Sequence, residues 1–215
     1  MSDTIYKKVD QAIEDIKKDV KTKFDSTIEL HINFNLDVRK SDQTIRFSTV
    51  LPFGTGKTVK VASLSTTNVA EADMNLKEED LDAIISGKLR PHVDFDFLVT
   101  EPSFMPKIAK VARILGPAGI MPNPKNGTVS TDVKKAVEQL KKGKIEIRNE
   151  QNFPIVHTII GKCSFDTESL VQNFNEIVKN LKTNKPVKAK PDWVESIYLS
   201  PTMGGSYQID KAILG

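Results

Sequence analysis

Apolar residues recur along this chain in two rhythms. In residues 5–20, Ile5, Val9, Ile13, Ile16 and Val20 fall three and four apart. That spacing predicts an amphipathic helix, with Ser2, Asp3 or Thr4 as its N-cap. The rhythm then becomes strict alternation: Ile28, Leu30, Ile32, Phe34 and Leu36 against Glu29, His31, Asn33 and Asn35. This predicts a half-buried strand with one polar face. Ile45, Phe47, Thr49 and Leu51 predict a second strand after the turn DVRKSDQT.

Beyond Gly54 and Gly56 the texture changes. Val59, Val61 and Leu64 predict a strand, residues 77–86 a helix, and DFDFLVT (94–100) a buried strand. Ile108, Val111, Ala112 and Leu115 form a helical stripe. A further helix carries Val133, Ala136, Val137 and Leu140, capped by Ser130 or Thr131 and ended by Gly143, and KIEIR (144–148) is a strand. Strands alternating with helices from about 60 to 150 imply an α/β unit on a largely parallel sheet. From Phe153 the pattern gives a strand near 157–164, a helix carrying Leu170, Phe174, Ile177 and Leu181, a Lys- and Pro-rich stretch, and strands at 194–200 and 206–210 around PTMGGS. The two flanks could form one α+β domain around the central unit, or two sequential domains; the pattern alone allows both.

Between the third and fourth helical stripes lies LGPAGIMPNPKNGTV (115–129), with three prolines and three glycines. It cannot be helix interior or central strand. Its apolar residues Leu115, Ile120, Met121 and Val129 argue for an ordered loop rather than a flexible linker.

Composition narrows the function. The net charge is +3, from 31 basic and 28 acidic residues. A nucleic-acid site would therefore be a local patch rather than a global field. The single cysteine, Cys163, excludes an internal disulfide and a cysteine-based zinc site, and fits a reducing cytoplasm. The N-terminal MSDTIYKKVDQAIEDIKKD is too charged for a signal peptide, and no apolar run approaches a membrane span of ~20 residues.

Enzyme chemistry finds little support. PFGTGKT (52–58) suggests a phosphate-binding loop at Gly54–Thr58, the basis of a competing reading as a nucleotide-binding enzyme. The full motif needs a glycine where Leu51 stands and a helix after the lysine, whereas Val59 and Val61 predict a strand. His31, His92 and His157 lack the short spacing of a metal site, and no nucleophile motif is evident. No catalytic residue, metal or cofactor is expected. The lysines from Lys179 to Lys190 read first as a solvated face that could add phosphate contacts. PTMGGS (201–206) reads first as a hairpin turn.

Five segments in order, KFDSTIELHINFNLD (23–37), SDQTIRFSTVLPFGTGK (41–57), ILGPAGIMPNPKNGTV (114–129), GKIEIRNE (143–150) and YLSPTMGGS (198–206), resemble the bacterial form of the ribosomal protein L one family. The resemblance implies α/β (α+β) architecture in two domains: a discontinuous α+β RNA-binding domain from 1–59 and 153–215, and an inserted Rossmann-like three-layer α/β domain, 60–152. It implies a cytoplasmic, non-enzymatic constituent of the large ribosomal subunit that binds stalk rRNA and assists release of exit-site tRNA. It further implies repression of its own operon mRNA, no membrane partner, and a monomer off the ribosome. Matched by motif, the RNA surface comprises Lys23, Phe24, Thr27, Glu29, His157, Gly161, Lys162, Thr202, Met203, Gly204 and Ser206. Lys23 and Lys162 would hold phosphates, and Gly204 would let backbone meet sugar. Ala118 stands where the family usually has Arg, and Gly205 where proline often follows PTMG.

Overall fold

The computed structural model describes residues 7–214. The chain divides into two compact units, one formed by the described residues to Gly56 and from Ile145, the other by Lys57–Lys144.

The first unit opens with α1, Val9–Asp19, whose Ala12, Ile13 and Ile16 are fully buried. The expected caps Ser2, Asp3 and Thr4, and Ile5, lie outside the described residues. Where the stripe predicted helix at residues 7 and 8, the chain is extended: Lys7 N–H donates to Gln208 O at 3.2 Å and bridges Ile209, and Lys8 is the N-cap. Pairing with an otherwise open strand edge outweighs helical periodicity there.

β1, Thr27–Phe34, alternates as its sequence predicts, with Ile28, Leu30, Ile32 and Phe34 buried. β2 is Arg46–Val50.

In the second unit β3 (Val61–Leu64) lies between β4 (Met74–Leu76) and β5 (Phe97–Thr100), all parallel. Every residue of β3 is buried because both sheet faces are covered. Ala62, Leu64 and Leu98 pack with α2 (Asp80–Ile85) and the segment to Leu115. Val61 and Val99 pack with α5 (Val133–Lys141) on the other face. This is the expected three-layer α/β arrangement. The helical stripe from Ile108 to Leu115 is not one helix. It is α3 (Met105–Ile108) and α4 (Ala112–Leu115), separated by a tighter turn. The cap of α5 is Asp132, whose carboxylate accepts from Lys135 N–H at 3.1 Å, rather than Ser130 or Thr131.

The proline- and glycine-rich run is ordered. Thr128 Oγ1 accepts from Asn123 N–H at 2.8 Å, Asn123 Oδ1 accepts from Lys125 N–H at 2.9 Å, and Leu115 and Ile120 are buried. Gly127 adopts φ 67°, which its turn requires.

β6, Lys144–Arg148, pairs with β2 and not with the parallel sheet. Alternation had grouped this strand with the central run; pairing over so long a separation leaves no local sequence mark. β7 (Ile155–Lys162), α6 (Thr167–Thr183), β8 (Val194–Pro201) and β9 (Tyr207–Ile209) complete the first unit. Its antiparallel sheet runs β7-β1-β8-β9, so β1 is flanked by strands from the far end of the chain. α1 and α6 cover one face, with Ile13, Ile16, Leu170, Phe174 and Ile177 in the shared core.

Candidate nucleic-acid interface

The other face of that sheet is polar. Alternation along β1 places Thr27, Glu29, His31 and Asn33 there, and pairing sets partners beside them. Thr27 lies opposite Lys162, Glu29 opposite Ile159 and Ser200, and His31 opposite His157 and Tyr198.

At the Thr27 end three distant segments meet. Lys162 Nζ donates to Thr27 Oγ1 at 2.8 Å and to Asp25 O at 3.3 Å. Thr202 N–H donates to Thr27 O at 2.9 Å, and its hydroxyl lies 3.4 Å from Glu29 Oε1. Buried Ser26 donates to Thr202 O at 3.2 Å, and Cys163 N–H donates to Ser26 O at 2.8 Å. Asp25 accepts from the Ser164 hydroxyl at 2.7 Å. Backbone and side-chain bonds thus hold Lys162, Glu29 and Thr202 as one group.

PTMGGS is a tight turn joining β8 to β9, so its hairpin geometry and an exposed surface coexist. Met203 takes φ 66° and is 84% exposed. A left-handed, solvent-facing methionine is costly unless the turn dictates it. Gly204 is required by the turn itself, because an added Cβ would lie 2.4 Å from Pro201 Cγ. Close approach to a sugar is therefore not needed to explain it. Ser206 is exposed beyond the turn. Phe24 is 53% exposed, so it does not anchor the core; Lys23 beside it is also exposed.

Gly161 differs from the other motif-matched residues, being buried. A Cβ there would lie 2.7 Å from Leu170 Cδ2, so its bareness lets α6 pack on β7. The structure gives it a packing role beside the surface rather than a place on it.

The histidines bring a contact that sequence spacing hid. His31 Nδ1 and His157 Nδ1 are 2.7 Å apart, and His31 Nε2 is 2.9 Å from Ser200 Oγ. Burial holds the His31 pKa below its usual value, and positive charge on His157 lowers it further, against the opposing pull of Glu29. His31, Ser200 and half-exposed Ile159 belong to this face but were not matched by motif. The alternation of β1 marked His31; nothing local marked its partners. Among the described residues no three His, Cys, Asp or Glu converge to hold a metal ion.

The Gly54–Thr58 stretch lacks the geometry of a nucleotide site. No helix follows it, and β3 begins at Val61. Buried Asn173 fastens its start, accepting from Phe53 N–H at 3.1 Å and donating to Gly54 O at 3.0 Å and Ile160 O at 2.8 Å. Lys57 pairs with Asp96 at 2.8 Å.

The sheet end thus gathers a lysine, a carboxylate, hydroxyls and a projecting methionine on one two-unit α/β protein. Comparison with known proteins supplies the family. The profile of the Ribosomal protein L1p/L10e family matches residues 16–205. The large ribosomal subunit protein uL1 of Mesoplasma florum is 44% identical over 94% of this chain and 89% of its own length. That of Mycoplasma capricolum subsp. capricolum is 43% identical over 94% and 90%. That of Synechococcus sp. (strain CC9311) is 39% identical over 95% and 87%. The chain belongs to the Ribosomal protein L1p/L10e family. It is accordingly a structural, non-enzymatic protein of the large ribosomal subunit, at work in translation on cytoplasmic ribosomes. Among the described residues no helix is long and apolar enough to cross a membrane.

Proposed function

We propose that the unit built from both chain ends binds the stalk rRNA of the large subunit through the end of its sheet where Thr27, Glu29, Lys162, Thr202 and Met203 meet. One observation carries this reading: three segments far apart in sequence are fastened together there, with Met203 facing outward. RNA is read through 2′-hydroxyls, phosphates and unstacked bases. Glu29 and Thr202 can pair with 2′-hydroxyls, Lys162 can exchange Thr27 for a phosphate, and Met203 offers an apolar contact to a base or sugar. Lys23, Phe24, His157, Gly204 and Ser206 border this centre. The inserted unit is proposed to reach exit-site tRNA and assist its release. The same sheet end would bind the leader of the protein's own operon mRNA as an rRNA mimic, the protein acting as a monomer off the ribosome.

The test is a double substitution, Thr202→Val with Met203→Ala. It should weaken stalk-RNA binding at least tenfold, about 1.4 kcal/mol, with an unchanged circular-dichroism spectrum. Full affinity in that variant would refute the site. Competition between stalk RNA and the leader mRNA tests the shared surface.

A further inference from the structure

Between Glu176 and Asp192 the chain carries five lysines, Lys179, Lys182, Lys185, Lys188 and Lys190, and no carboxylate. The whole chain has a net charge of only +3. Without these five side chains it would be negative. The five lie on the last turns of α6 and the segment leading to β8, a dense local run of positive charge.

That segment is built, not loose. Pro186 is buried, Ala189 packs against the core, and Ala189 N–H donates to Pro186 O at 2.9 Å. Lys185 Nζ lies 5.5 Å from the ring centroid of buried Trp193, which stacks on Phe34 at 5.0 Å. Lys188 pairs with Asp42 at 2.7 Å, and Asp192 is engaged by Lys211 at 3.1 Å. Asp42 and Asp192 are thus each occupied by a lysine, and Glu176 Oε1 accepts from Asn180 at 2.8 Å. Lys179, Lys182 and Lys190 are exposed and make no ion pair with any described residue.

The position matters as much as the charge. β8 begins where Val194 pairs with Phe34, at the opposite end of β1 from Thr27. Eight strand residues place the two ends roughly 25 Å apart. The lysines therefore cannot contact the nucleotides held by Thr202 and Met203. Exposed ammonium groups on flexible stems bond readily to phosphate oxygens, and such contacts carry no sequence information.

We propose that this lysine surface is a second RNA contact that engages only the phosphate backbone, on an RNA segment separate from the one held at the Thr27 end. It rests on the RNA-binding reading above. Phosphate contacts of this kind add affinity and fix orientation without carrying sequence information.

The experiment uses the full chain with Lys179→Gln, Lys182→Gln and Lys190→Gln combined. Affinity is measured for stalk rRNA and for a scrambled RNA of equal length across a salt series. Each phosphate contact contributes roughly 0.7–0.9 to the slope of log affinity against log salt. The triple variant should flatten the slope by about two and weaken both RNAs to the same degree. The preference for stalk rRNA should be unchanged, as should the thermal melt. Lys182→Glu with Lys190→Glu should deepen the loss. An unchanged slope overturns the proposal, and so does a loss of preference. If the native chain shows no preference for stalk rRNA, the earlier reading fails instead. A lysine-dependent slope on scrambled RNA would still sustain this one.

Discussion

His31 shows how one residue ties the interface to pH. Its folded pKa lies below the ordinary 6.5, chiefly because the strand face buries it. The unfolded chain therefore takes up this proton at a higher pH than the folded one. The contribution to stability is full above about pH 6.5 and is lost as pH falls from there through the folded pKa. His31→Gln should remove that part of the decline, seen as a shallower loss of urea midpoint between neutral and mildly acid pH. An identical profile in the variant would show that the pair contributes nothing. His157, Ser200 and Glu29 surround the ring, so the same proton also alters the charge of the face proposed to meet RNA.

At the scale of elements, the seam between β7 and α6 decides how the interface is shaped. Gly161 lets Leu170 approach β7, and the next residue, Lys162, reaches Thr27. Gly161→Ala places a methyl 2.7 Å from Leu170 Cδ2. The Leu170 side chain must give way and alanine must hold φ 153°, at a combined cost of about 1–3 kcal/mol, measurable by urea denaturation. Because Lys162 is the next residue, backbone strain at position 161 should lower RNA affinity as well. The segments here were readable to different degrees. β1, with its alternating Ile28, Leu30, Ile32 and Phe34, needed only its own sequence. The α3–α4 region reads as one helix because the period survives the break, and residues 7 and 8 read as helix because their pairing partner lies about 200 residues away.

Across the whole molecule, the two compact units part the proline-rich signature from the proposed RNA site. The signature run 115–129 lies in the second unit, whereas the convergent site lies wholly in the first. Ala118→Arg, restoring the residue usual in the family, should leave affinity for stalk rRNA within twofold. A gain of tenfold would bring that loop into the principal interface. What the sequence determined by itself is whatever short range governs: the strand and helix periods, the order imposed on the proline-rich loop by its apolar residues, and, through five ordered motifs, the family. What only the tertiary structure decided depends on pairing across long separations. Such pairing joins β1 to β7 and β8, moves KIEIR beside β2, brings His31 against His157, and buries Gly161 while leaving Met203 exposed. Periodicity records which face of an element is apolar. It carries no record of which distant element covers that face, because that choice is made by the packing of the whole core.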